Sequence, residues 1–278
     1  MDALNTRTTP QAASGELARV TGILRAEWCK LRSVRSTFWT LALAVGFNVG
    51  LAALFAIVLP SRLSARDLAT VDSVRLSLGG LHLSQIAFGV LGVLAISGEY
   101  GTGTIRATLS AVPQRRLLLA AKTLVFAVAA LVVGMVACVA AYAVFQAFLP
   151  VSGSGEALRL SIGDPGVLRA VTGGGLYLAV LGLLGLGLGA IVRSSAGAIA
   201  ALFGALFVPP LLITLLPHAW EDTIGPYLPM QAGSAVYLVH KQPDFLGPWA
   251  GFGVFCLYAA AALATGFFLI KHRDASPS

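Results

Sequence analysis

Long apolar runs alternate with shorter polar segments along this chain, and six of the runs are long enough to be read as elements. They cover 38–59, 76–96, 117–148, 173–192, 196–216 and 249–270. A helix rises about 1.5 Å per residue, so about 20 residues cross a hydrocarbon layer of about 30 Å. The third run shows its apolar pattern from Leu117, with its longest part starting at Lys122, and the second carries His82 and Gln85 near one end. Only Arg193, Ser194 and Ser195 separate the fourth run from the fifth, which makes those two antiparallel neighbours. The pattern predicts an all-α membrane protein with six transmembrane helices within 38–270 and a short tail at 271–278.

Ahead of the first run the periodicity is different. Residues 1–14 are polar and rich in Thr and Ala, which predicts a disordered tail. Across 15–37, Leu17, Val20, Leu24, Trp28, Leu31 and Val34 recur at three- and four-residue steps, with Arg19, Arg25, Lys30, Arg32 and Arg35 largely between them. That is a basic amphipathic helix. Lying in the membrane interface, it sets Trp28 at the acyl boundary and Arg25, Lys30, Arg32 and Arg35 on anionic headgroups. A solvated helix leading into the first span is the other reading. The first apolar run lacks a clear small-residue cleavage site and is read as a retained span.

Composition narrows the class. Apolar residues are 57% of the chain and charged residues 11%, against roughly 25% charged in an ordinary soluble domain. Cys29, Cys138 and Cys256 show no paired spacing, so no disulfide framework or metal signature follows. With both termini inside, thirteen Lys and Arg residues fall on the inner side and six on the outer, while seven of the twelve acids lie outside. The net charge of +7 therefore reads as topology and lipid contact rather than nucleic-acid binding, because the cations flank spans. Gly46 with Gly50, and Gly185 with Gly189, are G-x-x-x-G pairs suited either to packing within the bundle or to contact with a second copy.

Several chemistries have no residues to carry them. The sequence holds no H-E-x-x-H, no G-x-S-x-G and no cluster of acids within a span. An ion-coupled carrier usually places acids or His where the ion crosses, and only His82 and Glu99, both near span ends, approach that description. No G-x-x-x-x-G-K-[ST] is present to cradle ATP phosphates. Driven transport would therefore draw its energy from another polypeptide.

The segment after the second span holds the most specific pattern. Gly101 and Gly103 free the backbone, and Thr102 or Thr104 can cap a short helix. Ile105, Leu109 and Val112 then share one face, and Pro113 ends the helix by disfavouring helical geometry in Val112. Glu99 and Arg106 are spaced to pair, and Arg115 and Arg116 sit at the headgroup level of the next span. Such a helix either rests on lipid or presents an apolar knob to a soluble partner.

The run Glu99-Tyr100-Gly101-Thr102-Gly103-Thr104-Ile105-Arg106, followed by Leu109-Ser110 and Pro113-x-Arg115-Arg116, resembles the E-x-x-x-G-T-[IL]-[RK] loop of ABC-2 type transporter permeases. Pro226 through Gly233 is similar to a Leu-Pro-rich outer segment of bacterial members. The resemblance implies a permease subunit of an ATP-driven exporter in a bacterial plasma membrane, both termini cytoplasmic, paired with a second permease copy. It implies a cytoplasmic coupling helix that docks on a separate ABC ATP-binding subunit, with Glu99, Gly101, Gly103, Thr104, Ile105, Arg106, Leu109 and Pro113 at that contact. It also implies that ATP and magnesium bind the partner and that this chain binds no cofactor of its own. A membrane scaffold or sensor without transport, and an ion-coupled carrier, are the alternatives from other classes. The outer segment from Pro217 to Pro248 is expected either as short re-entrant helices or as an irregular loop.

Overall fold

A computed structural model describes residues 10–62, 71–111, 114–151, 153–215, 217–240 and 245–272. Its helices are α1 (Pro10–Ser33), α2 (Arg35–Val58), α3 (Ser73–Ser77), α4 (Leu81–Gly101), α5 (Thr104–Ala111), α6 (Arg115–Phe148), α7 (Ser154–Ala157), α8 (Val167–Val192), α9 (Ser195–Ile213), α10 (His218–Ile224), α11 (Pro229–Ser234) and α12 (Pro248–His272). Among the described residues there is no strand, and α2, α4, α6, α8, α9 and α12 are long and apolar enough to cross a membrane.

Helix ends depart from the apolar runs where local geometry overrides hydropathy. The second run starts at Leu76, yet Ser73–Ser77 forms its own short helix, capped where Asp72 Oδ1 accepts the Arg75 amide at 3.0 Å. The spanning helix restarts at Leu81, after Gly79 and Gly80 pass so close to α2 that a Cβ on Gly80 would strike the Asn48 backbone. At its other end α4 continues past Ile96 to Gly101, and the Thr102 amide still donates to Gly98 O at 3.1 Å. Glu99 and Gly101 therefore lie inside the helix rather than in a loop. Similarly, α1 begins at Pro10, within the stretch expected to be a disordered tail, with Pro in the first turn where its missing N–H costs nothing. Residues 1–9 lie outside the described part.

The bundle is organised around α8, the most buried of the six long helices, which packs on α4, α6, α9 and α12. Glycine makes that packing possible. A Cβ on Gly92 would run into Gly182 O, one on Gly185 would sit 2.5 Å from Gly89 O, and one on Gly187 would sit 2.8 Å from Ala262. Gly185 and Gly189 thus serve packing within the bundle. Gly46 and Gly50 do not: nothing lies within 4 Å of a Cβ at either. They belong to α2, which with α9 is the least buried of the long helices. Some polar groups inside the bundle find partners, as where the Tyr177 hydroxyl donates to Gln85 Oε1 at 2.6 Å and Ser84 to Ala44 O at 2.9 Å, whereas both polar atoms of the buried Asn48 side chain have none among the described residues.

Between α9 and α12, the described residues of the segment expected as re-entrant helices or an irregular loop form α10, α11 and two 3-10 turns, Gly225–Tyr227 and Ala235–Tyr237. Ala232, Ala235, Val236, Tyr237 and Leu238 are buried against α8 and α12. Tyr177 stacks on Phe255 at 5.3 Å and meets Tyr237 edge-on at 5.5 Å. Arg169 donates to Val236 O at 3.0 Å and Leu238 O at 2.9 Å, and Asp72 Oδ2 accepts the Val239 amide at 2.9 Å. This end of the bundle is closed by hydrogen bonds from α8 and the start of α3.

Candidate coupling site: a ring of charges at the end of α4

At the opposite end, four charged side chains from three helices close a ring. Lys122 Nζ on α6 donates to Glu27 Oε2 at 2.7 Å and to Glu99 Oε1 at 2.8 Å. Lys30 Nζ on α1 donates to Glu27 Oε1 at 2.9 Å and to Glu99 Oε1 at 3.2 Å. Two acids and two bases leave the ring neutral. Glu27 and Lys122 are buried, with side chains 5% and 8% exposed, and Glu99 is 14% exposed. In such surroundings a charge is tolerated only when paired and hydrogen-bonded. Lys30 also reaches Thr108 Oγ1 of α5 at 3.5 Å, so the ring touches a fourth helix. Glu99 Oε2 is buried and accepts no hydrogen bond.

The local sequence explains each placement. Glu27 and Lys30 are one turn apart on α1, on the face that Ile23 presents to Leu118 and Ala121 of α6. Lys122 lies one turn beyond Leu118 and Leu119 on that same contact. Burial pushes the Glu27 carboxyl up, but the Lys122 charge and the bonds from Lys122 and Lys30 outweigh it, so its pKa lies below the ordinary 4.5. Burial likewise pulls the Lys30 ammonium down, and the bonds and charges of Glu27 and Glu99 more than reverse this, raising its pKa above 10.5.

The expected coupling residues are partly gathered here. Glu99 is in the ring. Gly103 has φ +70°, the left-handed geometry that lets the chain turn from α4 into α5, while Gly101 is an ordinary helical residue. Thr104 opens α5, bonding to Thr102 at 2.9 Å, and Thr102 Oγ1 in turn donates to Gly98 O. Ile105, Arg106 and Leu109 lie on the α5 backbone with side chains outside the described set, so the expected Glu99–Arg106 pair falls outside it too, as does Pro113. Among the expected interface residues, Arg25, Arg32, Arg35 and Arg116 are exposed, and Trp28 is 46% exposed. Arg115 instead donates to Ile270 O at 3.4 Å, tying α6 to the end of α12. Lys30, expected on headgroups, faces the ring. Val34, counted on the apolar stripe of 15–37, is exposed, and among the described side chains of α1 the buried ones are Ile23 and Glu27.

Sequence reasoning passed over Glu27 and Lys122 as members of this site. The available signal was a lone Lys inside an otherwise apolar run, since a cation there calls for a buried partner. The end of α4 is held from a further side as well: Ser97 bonds to Ser195 at 2.9 Å, and Arg193, at φ 59° between α8 and α9, lies over the Tyr100 ring at 5.2 Å.

With this geometry in view, residues 23–218 match the family described as ABC-2 family transporter protein. The chain belongs to the ABC-2 transporter permeases. The match takes in every member of the ring, α5 and most of the bundle. No curated protein matches the permease. Membership makes it a membrane permease of an ABC transporter and implies an ABC ATP-binding partner.

Proposed function

We propose that this permease is the membrane-spanning half of an ATP-driven exporter and that α5 is the helix through which a separate ATP-binding subunit moves it. The observation that carries the reading is the ring. Residue Glu99 of the family's loop is bonded to α1 and α6, and Lys30 reaches α5. A push on α5 by a docked subunit thus acts on three helices at once. ATP and magnesium sit on that subunit, and two permease copies pair along faces such as those of α2 and α9, which the fold leaves bare. Both termini, the ring and α5 lie on the cytoplasmic side of a bacterial plasma membrane, where the excess of Lys and Arg also falls.

The test is association and coupled hydrolysis. Ile105 and Leu109 are four residues apart on α5 and share a face. The double variant Ile105→Asp/Leu109→Asp is expected to insert normally, to lose the ATP-binding subunit on affinity purification, and to lose ATPase activity in the recovered material. Retention of the subunit by that variant would remove α5 from the mechanism.

A further inference from the structure

At the end of the bundle away from Glu99, a cavity of about 220 Å3 lies between the start of α4, the far half of α9 and the segment that follows it. Arg75, His82 and Gln231 supply polar groups to its wall, and Pro210, Met230 and Phe245 supply apolar ones. Arg75 and His82 are both exposed. No described carboxylate lies on the wall. The nearest acid in sequence, Asp72, is committed to backbone, its two oxygens accepting the Arg75 and Val239 amides at 3.0 Å and 2.9 Å. Gln231 Oε1 is buried and accepts no hydrogen bond from a described residue.

These features call for a ligand of one kind. A guanidinium offers a planar fork of N–H donors matched to an oxyanion, and an imidazole offers another donor beside it. An acceptor left unbonded in a buried position costs free energy that a bound hydrogen-bond donor recovers. A hydroxyl beside the ligand's oxyanion supplies that donor. A few convergent polar groups on an apolar wall are the usual make-up of a small-molecule site. Such sites for drug-sized ligands have roughly 300–1,000 Å3, so this smaller one takes a headgroup and its first few carbons.

We propose that this cavity binds the anionic headgroup of an amphiphile, with the oxyanion on Arg75 and His82, a headgroup hydroxyl donating to Gln231 Oε1, and the start of the apolar body against Pro210, Met230 and Phe245. Two sources carry that chemistry: an anionic phospholipid of the bilayer, and a free amphiphile arriving as cargo. Binding requires neither ATP nor the partner subunit, so this inference and the exporter reading fail separately.

Native mass spectrometry of the full chain in neutral detergent tests it. The probes are phosphatidylglycerol against phosphatidylcholine of the same chains, and dodecyl phosphate against dodecanol. The wild-type chain is expected to prefer at least one anionic probe by about tenfold, the equivalent of one charge-assisted hydrogen bond. Arg75→Gln is expected to erase the preference and Arg75→Lys to keep part of it. Preference for phosphatidylglycerol alone identifies a bilayer lipid as the occupant, and preference for dodecyl phosphate identifies a free amphiphile. Absence of preference in the wild type, or full preference in Arg75→Gln, overturns the proposal. Because Arg75 is exposed, its substitution leaves the fold intact, and helical content measured by circular dichroism checks this.

Discussion

Lys122 is the residue on which the ring turns, since it is the buried cation that bonds both acids. Removing one partner of a buried pair costs about 3–5 kcal/mol, because a charge is left without compensation. Lys122→Met is therefore expected to lower the thermal midpoint clearly, while a double-mutant cycle with Glu27→Gln should return a coupling of about 0.5–3 kcal/mol. A coupling indistinguishable from zero would show the two side chains to be independent. The shifted groups also set a pH window. A carboxyl with a lowered pKa stabilises the fold above its ordinary 4.5 and loses that contribution as pH falls through its folded value. An amine with a raised pKa stabilises below its ordinary 10.5 and loses that contribution as pH rises through its folded value. Between those limits α1 stays docked on α6. Protection of α1 amides from hydrogen exchange, relative to their intrinsic rates, is expected to fall below pH 4.5 ahead of protection in α8, and an equal fall in both would count against the ring as the fastening.

Among the elements, α4 and α8 show how much of the fold was legible. Their existence follows from apolar runs of spanning length, and so do the other four long helices. The start of α4 was misplaced because Leu76 and Leu78 are apolar in either arrangement, and only the passage of Gly80 against Asn48 decides that the helix restarts at Leu81. The end was misplaced because Glu99 looks like a loop residue until its partners are known. Those partners stand 69 and 23 residues away in the chain, and Glu27 stands 95 from Lys122. No local periodicity reports such distances. Glycine pairs were similarly ambiguous: Gly46 and Gly50 have the same spacing as Gly185 and Gly189, yet only the latter meet another backbone. The difference is measurable. Gly92→Ala, forced against Gly182, is expected to cost about 3 kcal/mol, at the upper end of overpacking. Gly46→Ala is expected to be neutral or to gain up to about 1 kcal/mol from helix propensity. Thermal unfolding of the two variants side by side reads this, and equal losses would mean that α2 packs against more than the bundle provides.

For the whole molecule, the two ends of the bundle have different fastenings: charges at the Glu99 end, and backbone-directed bonds from Arg169 and Asp72 at the other. Which end faces the cytoplasm is checked with Cys29, which is exposed on α1 while Cys138 is buried. A membrane-impermeant maleimide is expected to label Cys29 in inverted vesicles and not in intact cells, and the reverse result would turn the molecule over. The glycine contact between α4 and α8 has a consequence for motion. Where backbone meets backbone there is no side chain to change rotamer, and so no second way for the two surfaces to mesh. The pair is a keel. Whatever stroke the partner delivers must be taken up by helices that lean on the keel through side chains, such as α9, whose Leu202 side chain faces Gly89. Spin labels across α4 and α8 should hold their separation through an ATP cycle while labels across α4 and α9 change theirs.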